Sequence, residues 1–378
     1  MASKSRLAFI DLLRGWAVMI MIEVHVFNAF LLPEIRTTAW FCILNFINGW
    51  VAPSFIFISG FVFLFASQKK LESFRTYGSA FWKQLSRIGF VLLIGYFLHL
   101  PFFSLRRMIT DTDQAGWFRF YQSDVLHCIA IGLLLLFFLR LVIKNTRVYR
   151  NTLLIAGIAV LLVTPLMWSV DFTTMIPAPI AAYLNGRHVS LFPLFPWIGF
   201  MLFGGFFSAG YIEAREAGKE KSYIINFAFI GSILLSLSAI VRELPIHTFL
   251  GSSEVRSDPF FFTERLGIVM LLLAICWFYA EQRKTEHSFV LDVSRESLMV
   301  YSAHLLVIFG QFWHYHSLYY FYGKSAGVLV CAAATLVLTL LMILAAKLWG
   351  WLKRYHQPLA RVMFWMFIVC SLVVFVLK

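Results

Sequence analysis

Charge is what this sequence has least of. Asp, Glu, Lys and Arg together make up 13% of its 378 residues, while 60% are apolar. A soluble domain carries about 25% charged residues to solvate its surface. This chain cannot cover a water-facing surface of that kind, and hydrocarbon is the solvent that suits it. Cysteine is scarce as well. Cys42, Cys128, Cys276, Cys331 and Cys370 all fall in apolar runs, and none has a CxxC or comparable spacing. That pattern argues against a disulfide framework and a metal site and predicts buried thiols. No clear internal repeat is visible, which weakens an inverted-repeat transporter. No loop is long enough to hold a soluble domain, so residues 1–378 are expected to form a single transmembrane domain.

What is present in quantity is apolar runs of about 20 residues, the length that spans a bilayer as a helix. They predict an all-α, polytopic membrane helix bundle of about 11 transmembrane helices, within 10 to 12. The expected spans are 7–32, 38–66, 86–104, 125–143, 152–170, 190–211, 223–241, 262–280, 295–313, 325–346 and 360–377. Lys4 and Arg6 ahead of the first run mimic a secretory signal. Asp11 and Arg14 interrupt that run and no small-residue cleavage site follows, so it reads as a retained span. With the N-terminus placed inside, about twice as many of the 32 Lys and Arg residues, Lys284 among them, fall on inner segments as on outer ones. The formal charge of +13 then reads as cytoplasmic loops facing anionic lipid rather than nucleic acid.

The first span, DLLRGWAVMIMIEVHVFNAF, carries the strongest signal. Ionisable residues at membrane depth are costly and mark function by default. Here there are four: Asp11, Arg14, Glu23 and His25. At about 100° per residue, with Asp11 at zero, Arg14 falls near 300°, His25 near 320° and Asn28 near 260°. These four share one face, and Glu23 points away and needs another partner. Arg14 and His25 are about 16 Å apart at 1.5 Å per residue. Imidazole suits a general base at neutral pH, and a guanidinium suits a phosphate-bearing donor. The pantetheine arm of CoA is long enough to bridge the two. The plainer reading is an Asp11–Arg14 pair closing the helix end and a structural histidine.

The segment DLLRG, with ten residues between Arg14 and His25, resembles the Arg-x10-His motif of the acyltransferase-3 membrane family. In that family the histidine is the proposed base. PSFIFISGFVFLF is similar to the same group's small-residue segment. The chain resembles more closely the bacterial relatives of heparan-α-glucosaminide N-acetyltransferase. Five pieces carry this resemblance in order: FIDLLRGWAVMIMIEVH, NFINGWVAPSFIFISGF, SDVLHCIAIGLLLL, FPLFPWIGFMLFGG and SRESLMVYSAHLL. The resemblance implies transfer of acetyl from cytoplasmic acetyl-CoA to a sugar amine across a bacterial cytoplasmic membrane. The lysosomal enzymes of that group look to carry asparagine where His25 stands, with their active histidine in the loop after the first span. The corresponding stretch here, LLPEIRTTAW, holds no histidine. The base is therefore placed on His25, and amine and hydroxyl acceptors both stay open.

Other residues are candidates on placement. Asp124 and His127 stand at the outer end of the fourth span, as acceptor ligands or as a helix cap with Asp124 at N-cap. His304, with Tyr301 one turn before it, is expected to line the donor tunnel or to hydrogen-bond between helices. Asn45 and Asn48 are expected to form interhelical bonds, and Ser59–Gly60 to allow close helix approach. Pro193, Pro196 and Trp197 read as a kinked entrance, with Trp197 a candidate for stacking on a sugar. Glu264 and Arg265 are expected to pair or to line an acceptor cleft. The basic stretch from Lys69 to Arg87 is expected along the inner membrane surface.

The expected activity is thus a transmembrane, acyl-CoA-dependent acetyltransferase. His25 is its base or acyl carrier, Arg14, Asp11, His304 and Tyr301 face the donor, and Asn28, Asp124, His127 and Trp197 face the sugar or glycan. No metal is needed, and a homodimer is admitted. The alternative is a permease for an amphipathic or lipid-linked solute that uses the same residues as a proton relay.

Overall fold

The computed structural model describes residues 7–244, 255–283, 288–310 and 317–378. Lys4, Arg6 and Lys284, counted above among the inner cations, and residues 311–313 of the ninth expected span lie outside the described residues. α1 (Ala8–Phe30) and α2 (Ala39–Asn48) are followed by α3 (Val51–Ser67), a short α4 (Leu71–Arg75) and α5 (Ser79–Leu98). α6 (Leu105–Thr110) and α7 (Gln114–Tyr121) precede α8 (Val125–Val142) and α9 (Thr146–Ser169). After α10 (Ala178–Ala181) come α11 (Leu194–Glu216), α12 (Glu220–Glu243) and α13 (Pro259–Gln282). The described chain ends with α14 (Phe289–Arg295), α15 (Ser297–Phe309), α16 (Leu318–Tyr322), α17 (Val328–Tyr355) and α18 (Gln357–Leu377). The fold is all-α, and among the described residues the only β-type pairing is an isolated bridge between Leu31 and Ala326.

Among the described residues, eight stretches are long and apolar enough to cross a membrane: Ala39–Ser67, α8, α9, α11, α12, α13, α17 and α18. The other three expected spans fall on α1, α5 and α15. These are helices too: α1 holds Asp11, Arg14 and Glu23, α5 holds Lys83 and Arg87, and α15 has only 13 residues. The third expected span is shifted: its helix begins at Ser79 and stops at Leu98, ahead of Pro101. Proline and the residue before it both disfavour helical continuation. The basic stretch from residue 69 therefore divides. Part of it forms α4, where Arg75 donates to the Leu141 carbonyl at the end of α8 (2.6 Å), and Lys83 and Arg87 belong to α5.

Outward-facing surface follows the apolar pattern. Only 11% of the apolar window of α18 and 17% of that of α17 is buried, against 83% for α11. Helices that show so much Leu, Val and Phe outward suit a hydrocarbon surround, because lipid leaves apolar surface no reason to hide. The same fact corrects the expectation for the thiols. Cys128 and Cys331 are buried, Cys276 is partly so, and Cys42 and Cys370 are exposed on α2 and α18. In a bilayer an outward thiol costs little, so apolar context did not place these two inside.

The chain forms two compact units. The first comprises Met1–Val51, Leu98–Trp117 and Cys276–Lys378. In it α1 packs against α14, α15 and α17, and α18 against α17 and α6. At Gly15 an added Cβ would fall 2.2 Å from the Val290 carbonyl oxygen, so α1 and α14 meet backbone to backbone. The second unit comprises Ala52–Phe97 and Phe118–Ile275. Its centre is α11, packed on α9, α8 and α12. The close approach expected at Ser59–Gly60 is present. A Cβ at Gly60 would fall 2.0 Å from the Met201 carbonyl oxygen, and one at Gly204 would fall 2.1 Å from that of Phe57. The two glycines let α3 and α11 touch in both directions, as small residues do between membrane helices.

Gly60→Ala should force α3 from α11 and cost about 1–3 kcal/mol. Gly89→Ala, where a Cβ meets nothing within 4 Å, should be close to neutral. Thermal unfolding of both variants in one detergent checks the pair. Equal stability would remove the close-approach argument.

Candidate active site

The ionisable residues of α1 are met by three helices of the first unit, Asp11 and Arg14 by α14, Glu23 by α2 and His25 by α15. At the start of α1, Asp11 is buried and Arg14 half-buried. Arg14 pairs with Asp11 through a terminal nitrogen, and its Nε donates to Ser294 Oγ of α14 at 3.0 Å. The Ser294 hydroxyl in turn donates to Asp11 Oδ1 at 3.3 Å. The expected Asp11–Arg14 pair is therefore present, with a serine from 280 residues away as its third member. Glu23 points elsewhere, as its helical angle requires, and its Oε2 accepts from Asn48 Nδ2 of α2 at 2.6 Å. That bond is the interhelical role expected of Asn48.

Further along α1, His25 meets α15. His25 Nδ1 and His304 Nε2 are 2.9 Å apart, and the rings lie 5.0 Å apart, tilted by 33°. His304 is fully buried, and its Nδ1 is 2.7 Å from the Val300 carbonyl one turn earlier. Tyr301 stands edge-on to both imidazoles, at 6.5 Å from His25 and 5.8 Å from His304. Residues three and four apart share one helix face, so Val300, Tyr301 and His304 reach α1 together. His25 keeps part of its surface accessible. Beyond it, Arg36 closes the end of α1. It donates to the carbonyls of Asn28 (2.6 Å), Phe27 (3.0 Å) and Leu31 (3.3 Å), at the end of the helix where carbonyls run short of intrahelical donors. Asn28 is exposed beside this cap.

The structure thus brings Asp11 and Arg14 together in one cluster and His25, Tyr301 and His304 in another, all in the first unit. Sequence reasoning missed Ser294, whose one available signal was its place at the head of the SRESLMVYSAHLL segment. It also missed the His25–His304 bond as a specific pair, and the carbonyl of Val300.

Asp124, His127 and Trp197 belong to the second unit. Asp124 is the N-cap of α8. Its carboxylate accepts from the backbone of Val125 (2.6 Å) and of His127, while His127 Nδ1 accepts from the Asp124 N–H (3.3 Å). This reciprocal arrangement is a capping box, so the cap expected of Asp124 is what the geometry displays. The His127 ring is fully buried, edge-on to Tyr96 at 4.4 Å, and the Tyr96 and Tyr183 hydroxyls are 2.8 Å apart. Trp197 is 5% exposed and packs on Phe192, Phe200 and Phe261 at 4.7, 5.9 and 6.3 Å. The indole is thus packed among protein rings. Its N–H has no partner among the described residues. Glu264 pairs with Arg242 of α12 through two bonds of 3.0 and 2.7 Å, rather than with its neighbour Arg265. Adjacent positions on a helix do not face each other. The Arg265 guanidinium lies 5.4 Å from the Phe261 ring centre.

A protein-family model described as "Heparan-alpha-glucosaminide N-acetyltransferase, catalytic" matches residues 6–238, more than half of the chain. The match takes in Arg14 and His25 and ends before α15. No curated protein matches the chain.

Asn48→Ala should leave the Glu23 carboxylate without its amide donor and destabilise the first unit by about 1–3 kcal/mol. The double variant Asn48→Ala/Glu23→Gln should regain part of that loss, because the charge is gone. Unfolding midpoints of Asn48→Ala, Glu23→Gln and the double variant against wild type test it. An additive double variant would mean that the bond contributes nothing.

Proposed function

The chain belongs to the heparan-α-glucosaminide N-acetyltransferase catalytic family, and from that premise we propose that it moves acetyl from acetyl-CoA to an amine or hydroxyl of a sugar or glycan within the membrane. The observation that carries the proposal to particular residues is the His25–His304 pair, an imidazole dyad 2.9 Å apart on two helices of an apolar bundle. Imidazoles are costly at membrane depth and are kept there for chemistry or for structure. Partial accessibility of His25 beside a fully buried His304 favours chemistry at the first.

In this reading His25 is the base. It takes a proton from the acceptor N–H or O–H as that atom attacks the thioester carbonyl. The C–S bond breaks, and the proton passes from His25 to the departing thiolate, giving acetylated acceptor and CoA. Arg14, held in one orientation by Asp11 and Ser294, is the cation proposed to meet a phosphate of the donor. Tyr301, edge-on to both imidazoles, lines the thioester's approach. The Lys and Arg distribution supports an N-terminus in the cytoplasm, donor entry from that side and an acceptor on the far side of a bacterial inner membrane. The whole chain is taken as one acyltransferase domain.

Acetyl-CoA binding and transfer by purified protein in detergent test the proposal. His25→Ala should lower turnover about 10²–10⁴-fold, the range for loss of a general base, and leave donor binding largely intact. Arg14→Ala should weaken acetyl-CoA binding about ten-fold or more, as expected for loss of a charge-assisted contact. Wild-type protein that binds no acetyl-CoA would overturn the acetyltransferase and turn attention to a permease, which has no reason to hold CoA. Normal turnover by His25→Ala would overturn the base assignment alone.

A further inference from the structure

Hydrogen-bond roles along the dyad are set by its inner end. The Val300 carbonyl oxygen can only accept, so His304 Nδ1, 2.7 Å away, must carry a proton. In a neutral His304 the lone pair is then on Nε2. Nε2 is the atom that faces His25 Nδ1 at 2.9 Å, so His25 Nδ1 must be the donor. A neutral His25 with its proton on Nδ1 carries its lone pair on Nε2. The chain of bonds from Val300 through His304 to His25 therefore selects one of two imidazole tautomers, as the partner of one ring nitrogen commonly selects the state of the other.

We propose that His304 is a positioning residue that holds His25 in the Nδ1–H tautomer, so that Nε2 is the nitrogen that takes the acceptor's proton. The inference rests on His25 being the base, but the tautomer itself can be read without any reaction. It also gives His304 a different role from a lining of the donor tunnel. His304 is fully buried, and both of its ring nitrogens are committed, one to Val300 and one to His25. It touches the reaction only through His25. In unconstrained histidine the proton favours Nε2, so without His304 the lone pair would move to Nδ1, on the side of the ring that faces α15. A base held in the wrong tautomer keeps its place and loses its chemistry. In the serine-protease triad that error alone lowers turnover about 10⁴-fold.

Two measurements test this. The first is the ¹⁵N spectrum of histidine-labelled wild-type protein in detergent, with the His25 signals identified by their loss in His25→Ala. Expected is a protonated Nδ1 and an unprotonated Nε2 at a pH where His25 is neutral. In His304→Leu the order should reverse. A wild-type His25 with its proton on Nε2 overturns the proposal, whatever the protein's activity and whether or not the variant folds. The second is kinetic. His304→Leu should lower kcat about 100-fold or more, with KM for acetyl-CoA within about two-fold of wild type. His304→Gln, whose side-chain oxygen can accept from His25 Nδ1–H, should recover about ten-fold of that loss. A His304→Leu enzyme with normal kcat, or with its whole loss in KM, overturns the proposal. Wild-type protein that shows the expected tautomer but transfers no acetyl group would leave the positioning in place and overturn only the function on which its use was argued.

Discussion

A polar group inside a bilayer finds no water, so each must be answered by protein. That requirement organises the first unit. α1 carries an acid–base pair, a carboxylate and an imidazole, and each is met from a different helix: Ser294 on α14, Asn48 on α2 and His304 on α15. Apolar packing alone would let α1 rotate or slide among Leu- and Val-rich neighbours, since lipid competes equally for that surface. Three polar contacts at three levels leave one register. The Gly15–Val290 backbone approach fixes the separation, and the dyad then follows from the same register that keeps Asp11 and Arg14 paired.

The second unit solves the problem differently. Its centre, α11, meets α3 through paired glycines, and its Phe207 and Phe200 lie against Phe57 of α3 and Phe262 of α13. Polar groups there mostly serve helix ends and crossings. Asp124 and His127 start α8, Arg242 and Glu264 join α12 to α13, and Ser238 bonds Thr263 at 2.7 Å. In that unit Asp124 and His127 cap a helix, while in the first unit the same residue types make the Asp11–Arg14 and His25–His304 pairs.

This contrast marks what was legible in the sequence. The helices were, because about 20 apolar residues in hydrocarbon have one way to satisfy their backbone. So was α1 as the helix where ionisable residues gather into bonded clusters, because four of them in one span demand partners. The direction of Glu23 away from His25 followed from helical angle alone. Partners were not legible: nothing periodic connects Arg14 to Ser294 or His25 to His304. Asp124 and His127 read equally well as cap and as ligand until the bonds were seen. Trp197 looked like a stacking platform because its neighbours in space, Phe192 and Phe261, are not its neighbours on the helix face. Cys42 and Cys370 were misplaced because apolar context does not separate a protein interior from a lipid-facing surface.

The separation of these partners along the chain bears on how the protein is made. Arg14 and Ser294 are 280 residues apart, and His25 and His304 are 279 apart. Ribosomes add about 5–20 residues per second, so α1 emerges on the order of 15–60 seconds before α14 and α15, two of the three helices that answer its polar groups. Residues 52–275, which hold the second unit, are synthesised in that interval. During it Asn48 on α2 is already present to meet Glu23 and Asp11 to pair with Arg14, while Ser294 and the histidine partner of His25 have yet to be made. The polar contacts of α1 are therefore complete only when α14 and α15 have been made, and a chain that stops before them lacks Ser294 and His304, two of the three partners that α1 takes from other helices.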